Sequence, residues 1–163
     1  MTINTQSDPG RRKIRFESLD DILADVERLA EAERNGKLER VGNWTFGQSL
    51  GHMATWVGYT YDGIPLKIPF LLRLLLRPMK RRMLRTKMRP GLRIPGTTEG
   101  TLGTELLSTE EGLSRFKAAI ERLRREPPTK PHMFFGQMTH DEWISLQLRH
   151  AECHLATLRI KGT

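Results

Sequence analysis

Four stretches of this chain carry apolar or aromatic side chains at the three- and four-residue spacing of one face of an α-helix. Each stretch begins at a residue that commonly caps a helix N-terminus, namely Ser18, Thr45, Ser108 and Thr139. The second and fourth starts are capping boxes, because Gln48 and Glu142 follow the cap by three residues. Because no segment favours a strand, the pattern predicts an all-α fold with four long helices.

The residues that predict the C-terminal ends of these helices differ from one helix to the next. The first helix is predicted to stop at Asn35-Gly36, the second at about Tyr61, and the third before Pro127. The fourth is predicted as one long helix over residues 139–155, and the next Gly or Pro after it is Gly162. Residues 1–13 are polar and contain a turn signal, which predicts a flexible tail ahead of one domain at 14–163.

Residues 62–108 do not fit a bundle helix, because five prolines divide them. Pro69 and Pro78 are suited to the first turns of two short helices, one rich in leucine and the next rich in Lys and Arg. From Lys87 to Ser108 the composition indicates a loop. The segment therefore predicts a long crossover between the second and third long helices.

Basic charge is concentrated in this crossover. The formal net charge is +8, yet residues 67–93 hold ten of the 27 Lys and Arg and no Asp or Glu, leaving 17 basic against 19 acidic residues elsewhere. Three interpretations stay open: a solvated connection whose leucines dock on the bundle, a mouth for an anionic substrate, or contact with an anionic membrane surface. The candidate anion- or surface-binding residues are Arg73, Arg77, Lys80, Arg81, Arg82 and Arg85.

Other partners and compartments follow from composition. No apolar run is long enough to span a bilayer, the N-terminus has no signal core, and one cysteine excludes an internal disulfide framework. These features predict a cytoplasmic protein. The basic residues form no nucleic-acid reader motif, so no nucleic-acid partner is predicted. The apolar run at residues 70–76 would be costly to leave in water, which makes a homodimer an open alternative.

Two helices carry an unusual polar and aromatic stripe. On the fourth helix His150 and His154 lie one turn apart and therefore project from the same face. Two such imidazoles can occupy adjacent positions on a divalent metal, although a solvated or core pair is the plain alternative. Trp143 and Gln147 share their face, and on the second helix the corresponding stripe consists of Gln48, His52, Trp56 and Tyr59.

The arrangement resembles the DinB-like (DinB/YfiT-like) superfamily and, in its finer pattern, the branch called domain of unknown function 1569. One His lies midway along the second helix and an HxxxH pair lies on the fourth. The matching pieces are RF-x-SLDD at 15–21, GNWTFGQ-x-L-x-H at 42–52, DG-x-P at 62–65, FG-x-MT-x-DEW at 135–143 and RHAE-x-HL at 149–155.

The resemblance implies a DinB-like four-helix bundle whose long crossover carries short extra helices. It also implies a divalent metal, zinc or nickel, held by His52, His150 and His154. Characterised relatives include metal-dependent transferases and isomerases that use a low-molecular-weight thiol, which predicts a small-molecule substrate. The pocket-lining residues expected around the metal are Gln48, Trp56, Tyr59, Trp143 and Gln147.

Three neutral imidazoles leave a coordination position open, as catalytic metal sites do. No general base is evident, because Glu152 lies about 200° around the helix from His150 and is expected to be a solvated carboxylate. Cys153 is predicted to be a small buried residue at a helix contact, and His132 and His140 to be surface groups. The alternative function is a noncatalytic bundle whose basic segment 67–93 binds a membrane surface or a partner.

Overall fold

A computed structural model describes residues 10–66, 68–94, 96–97 and 99–162. It is mainly helical, which confirms the all-α prediction, and it also contains two three-residue strands that were not predicted. The helices are α1 Leu19–Arg34, α2 Phe46–Asp62, α3 Phe70–Leu76, α4 Lys80–Arg85, α5 Thr109–Arg125 and α6 His140–Leu155. The strands are β1 Leu38–Arg40 and β2 Leu158–Ile160, and a 3-10 turn at Arg77–Met79 joins α3 to α4.

The caps of the four long helices are formed by the predicted residues. Side chains of Ser18, Thr45, Ser108 and Thr139 each accept a hydrogen bond from the backbone N–H three residues later. The box at Thr139 is reciprocal, whereas the one predicted at Thr45 is wrong in its second half. The Gln48 amide instead donates to the Thr104 carbonyl, 3.0 Å away, and so ties α2 to the crossover.

The fourth helix ends at Leu155, the last residue of the predicted stretch, seven residues before Gly162. After Leu155 the chain turns, and β2 pairs antiparallel with β1, with Leu38 opposite Ile160. The Thr157 hydroxyl donates to the His154 carbonyl at 2.7 Å, which closes the helix end without Gly or Pro. Leu158 is fully buried, so the strand extends the core that the helix began.

The core lies between the apolar faces of the four long helices. Fully buried side chains come from each of them, including Ile22, Val26, Phe46, Leu50, Ile120 and Leu155. The start of α5 packs tightly on α2, since a Cβ on Gly112 would lie 2.6 Å from the Gly47 carbonyl oxygen. A Cβ on Gly47 would likewise collide with the backbone of Leu107 and Ser108, so glycine at both positions permits this close approach.

The crossover joins Asp62 at the end of α2 to Ser108 ahead of α5 and contains α3 and α4. Pro69 occupies the N-cap of α3 and Pro78 lies in the 3-10 turn, so both prolines mark element starts. Between Lys87 and Ser108 the described residues form no helix or strand. None of the helices in the described ranges has the length and hydrophobicity that crossing a bilayer requires.

The first nine residues of the predicted tail lie outside the described ranges. The remainder, residues 10–13, is held against the domain. The Arg12 backbone N–H donates to the Ala156 carbonyl at 2.8 Å, and its guanidinium pairs with Asp25 at 2.6 Å. Arg12 therefore joins this short segment to α1 and to the end of α6.

Candidate metal centre

Three histidines from two helices converge beside the core. His52 projects from the middle of α2, and His150 and His154 project from the last two turns of α6. One ligand atom from each lies within 4.8 Å of the others, and the Nε2 atoms of His52 and His150 are 3.2 Å apart. The three predicted metal-ligating residues are thus brought to one point, although His52 and His150 are 98 positions apart in the sequence.

Hydrogen bonds on the far side of two imidazoles decide which nitrogen carries the proton. Nδ1 of His52 lies 2.8 Å from the Leu102 carbonyl oxygen, and Nδ1 of His150 lies 3.4 Å from Oε1 of Gln147. Both partners accept, which assigns the proton to Nδ1 in each ring and leaves each Nε2 with a lone pair. The two lone pairs then face each other.

The short distance between the two Nε2 atoms is suited to a cation bound between them. Ligand nitrogens about 2.05 Å from a tetrahedral ion lie about 3.3 Å apart, close to the 3.2 Å between His52 and His150. Two facing lone pairs repel unless a cation or a proton lies between them. Within the described part of the chain the donor set consists of three imidazoles, which is the set of a site with an open position for water or substrate.

Burial keeps these imidazoles neutral. It lowers the pKa of His52 to about 4, against which the hydrogen bond to the Leu102 carbonyl acts only in part. Burial also holds the pKa values of His150 and His154 well below the usual value, with the neighbouring histidines adding to the effect. Neutral imidazole is the form that binds a metal, so at neutral pH no proton has to be displaced.

Two tryptophans enclose the histidines. The Trp44 ring is stacked on His154, with centroids 5.3 Å apart and planes 10° apart, and it meets His52 edge-on at 4.7 Å. Trp56 donates its indole N–H to the Leu102 carbonyl at 3.3 Å, the same oxygen that His52 uses. Trp44 was not among the predicted pocket residues, although it stands next to the cap Thr45 within the matching motif.

A cavity of about 420 Å³ opens beside the histidines. Four of the predicted pocket residues line it, Trp56, Tyr59, Trp143 and Gln147, whereas Gln48 is not among the lining residues and faces Thr104 instead. The wall also includes residues that the sequence did not single out for this place, among them Arg11, Arg89, Arg93, Glu99, His132 and Cys153.

None of the six candidate basic residues of the crossover is among the residues that line this cavity. Lys80 pairs with Glu142 on α6, with Nζ 2.7 Å from the carboxylate. The other five are exposed on the outer side of the 3-10 turn and the two short helices. Arg89 and Arg93, which come after α4, are the crossover arginines at the cavity.

Glu152 is not the solvated carboxylate that was expected. It faces away from the histidines, as its helical position requires, but only 4% of it is exposed. Its Oε1 accepts the Phe16 backbone N–H at 2.8 Å and pairs with Arg149 at 2.9 Å. The N-terminal segment covers this face of α6 and excludes water from it.

Two further expectations were wrong. His132 packs against Phe135 with ring centroids 4.5 Å apart, and its Nδ1 accepts the backbone N–H groups of Phe134 and Phe135 at 3.1 and 3.2 Å. Nε2 of His140 lies 2.5 Å from the Leu123 carbonyl oxygen, which ties α6 to α5. Both histidines therefore have structural contacts instead of free surface positions.

Cys153 lies on the cavity wall and is partly exposed. Burial raises the pKa of its thiol, so the protonated form prevails at neutral pH. Among the described residues, the group whose ligand atoms lie close enough together to hold an ion comprises the three histidines and does not include Cys153.

Comparison with known proteins gives a family and no activity. No curated protein and no solved structure matches the chain. The family whose model matches, over residues 9–161, is described as a protein of unknown function, DUF1569. That match spans nearly the whole sequence, and the chain therefore belongs to the DUF1569 family.

Proposed function

We propose that this DUF1569 protein binds one divalent ion, zinc or nickel, through His52, His150 and His154, in the manner of DinB-like proteins. The observation that carries the proposal is the pair of Nε2 atoms 3.2 Å apart, each with its proton held on Nδ1 by an acceptor behind the ring. Histidine ligands whose other nitrogen donates to a carbonyl or amide oxygen are the usual arrangement at protein metal sites.

Such an ion, when bound, acts as a Lewis acid that lowers the pKa of a water or thiol at its open position. The chain's own groups support this chemistry. Leu102 and Gln147 orient two ligands, and Trp44 and Trp56 shield the site from solvent. Shielding strengthens the attraction between the ion and an anionic ligand.

The cavity favours an anionic small molecule with an apolar part. Its wall is largely aromatic and aliphatic, and it includes Arg11, Arg89 and Arg93 against the single carboxylate of Glu99 among the described lining residues. A low-molecular-weight thiol with carboxylates has this character. We therefore propose a metal-dependent transferase or isomerase that uses such a thiol.

Metal content tests the binding part of the proposal. Protein purified without a His-tag is analysed for bound metals beside His52→Ala/His150→Ala and beside His140→Gln, which alters a histidine outside the site. We expect close to one ion per chain in the unmodified protein and the control, and almost none in the double variant. Equal metal content in all three would refute the site.

Cobalt substitution tests the thiol part separately. Co²⁺ in a three-imidazole site with an open position gives visible bands that change when a thiolate coordinates. We expect glutathione to add a thiolate-to-cobalt charge-transfer band, and a glutathione analogue with Ser in place of Cys to add none. If cobalt binds but the spectrum ignores glutathione, the metal site stands and the thiol chemistry does not.

A further inference from the structure

The outer side of the crossover exposes a continuous apolar surface. Phe70, Leu71, Leu74, Leu75 and Met79 are 77, 66, 54, 67 and 46% exposed. The four that belong to α3 fall within an arc of about 140° on the helix, while Leu72 and Leu76 turn toward the protein and are partly buried. We call the five exposed residues the apolar patch. Large contiguous apolar surfaces of this kind are uncommon on monomers and mark interaction sites.

A basic rim borders the apolar patch on one side. Arg73 and Arg77 lie along one edge of α3, and Arg81, Arg82 and Arg85 continue the row on α4. All five are exposed, and none forms an ion pair within the described ranges. The sequence has no Asp or Glu from residue 63 to residue 98, so the crossover contributes no carboxylate of its own to the rim. Glu142 of α6 pairs with Lys80 and also attracts Arg81, at the α4 end of the rim.

We propose that the apolar patch and its basic rim bind the surface of an anionic lipid bilayer. Short helices that carry large apolar side chains on one face and Arg at its edge lie in the interface plane of a membrane. The apolar residues enter the boundary between headgroups and acyl chains, and the arginines remain level with the phosphates. Since no described helix can span the bilayer, the attachment is peripheral.

The charge distribution favours lipid over a second copy of the chain. In a two-fold symmetric dimer the same surface meets itself, so the ten arginines of both rims would border one interface. The accumulation of like charge at that interface opposes the contact. An anionic bilayer is complementary to both parts of the surface, apolar and basic. This inference does not depend on the metal.

Vesicle flotation with the full chain tests the proposal. Vesicles of phosphatidylcholine containing phosphatidylglycerol are compared with pure phosphatidylcholine vesicles at low and high salt. We expect binding to the anionic vesicles, weakened by high salt because screening reduces attraction between the rim and the headgroups. If the unmodified protein does not float with anionic vesicles at low salt, the proposal is overturned.

Matched leucine variants test the apolar patch. Leu75→Ser is compared with Leu106→Ser, a leucine that is 80% exposed outside the apolar patch. We expect Leu75→Ser to weaken vesicle binding about tenfold, from the loss of one inserted leucine, and Leu106→Ser to leave it unchanged. If the two substitutions weakened vesicle binding equally, the assignment of the membrane contact to the apolar patch would be overturned. Light scattering that shows a dimer which Leu75→Ser converts to a monomer, without vesicle binding by either protein, would assign the face to a second copy instead.

Matched arginine variants test the rim at constant net charge. Arg73→Gln/Arg77→Gln/Arg81→Gln is compared with Arg34→Gln/Arg40→Gln/Arg125→Gln, whose residues are exposed elsewhere on the surface. We expect about fivefold weaker binding per rim arginine and little change in the control. If both triple variants weakened vesicle binding equally, the overall charge alone would drive binding, and the assignment of the rim as the headgroup contact would be overturned. Phe70→Trp gives a further readout, because brominated lipids should quench an inserted tryptophan.

Discussion

Replacing His132 with Asn should make the metal-free protein more resistant to mild acid. The Nδ1 of His132 accepts two backbone N–H groups, and its ring is packed against Phe135 and Trp143. An Asn oxygen can take the place of Nδ1 as acceptor but does not titrate. The substitution therefore removes the ionisation while retaining the hydrogen bonds.

Burial lowers the pKa of His132 to about 4, from an ordinary value of 6.5. Above pH 6.5 the imidazole is neutral in both folded and unfolded chains and has no effect on the pH dependence. As the pH falls, the unfolded chain binds a proton that the folded chain does not, so stability falls. Fully developed below pH 4, this loss amounts to about 3.4 kcal/mol, at about 1.36 kcal/mol per pH unit. About 3 kcal/mol of it is already present at pH 4, where the folded imidazole is half protonated.

The measurement is urea unfolding followed by circular dichroism at several pH values, with a chelator present in every sample. His52, His150 and His154 also have lowered pKa values, but they are common to both proteins and cancel in the comparison. We expect the unfolding free energies of the two proteins to keep a constant difference at pH 7 and above and to separate, in favour of His132→Asn, by about 3 kcal/mol at pH 4. Parallel curves across this range would show that His132 titrates normally and would refute the reasoning.

Three further outcomes are expected. Gly103→Ala should weaken metal binding by about 10–100-fold in competition titrations. The backbone φ of Gly103 is +70°, and a Cβ there would lie 2.9 Å from Thr55, so the substitution would displace the neighbouring Leu102 carbonyl. An unchanged metal affinity would contradict this prediction. Removing the metal with a chelator should lower the melting temperature by about 5–10 °C for an ion present at a hundred times its dissociation constant, with no shift in a ligand variant. Gly112→Ala should lower the free energy of unfolding measured in urea by about 1–3 kcal/mol, whereas Gly58→Ala on α2 should leave it unchanged or raise it. If Gly58→Ala were the more destabilising of the two, the close packing of α5 on α2 at Gly112 would be refuted.

The long helices and the histidine cluster could be predicted because their signals are local. A cap such as Thr139 and the four-residue spacing of His150 and His154 act within one or two turns, where the geometry of a helix is fixed. The third ligand, His52, was located by its family resemblance. The structure then brings it within 3.2 Å of His150.

The acceptor behind His52 could not be predicted, because Leu102 lies in a loop without periodicity and contributes only a backbone oxygen. The environment of Glu152 was misjudged for a related reason. A helical wheel gives the direction of a side chain but not what covers it, and the cover is the distant segment at Phe16. The strand after α6 depends equally on a distant partner, β1.

The ion pair of Arg149 and Glu152 restricts how α6 can rotate about its own axis. On one side of the helix Glu152 accepts the Phe16 backbone N–H and Arg149 donates to the Phe16 carbonyl, while His150 and His154 project from the other side. Rotating the helix would therefore break both sets of contacts. Replacing the pair by apolar residues of similar volume can preserve or even raise stability. We therefore expect such a variant to have the melting temperature of the parent protein but a weaker affinity for the metal ion. That result would show that the ion pair sets the orientation of α6 and contributes little to stability.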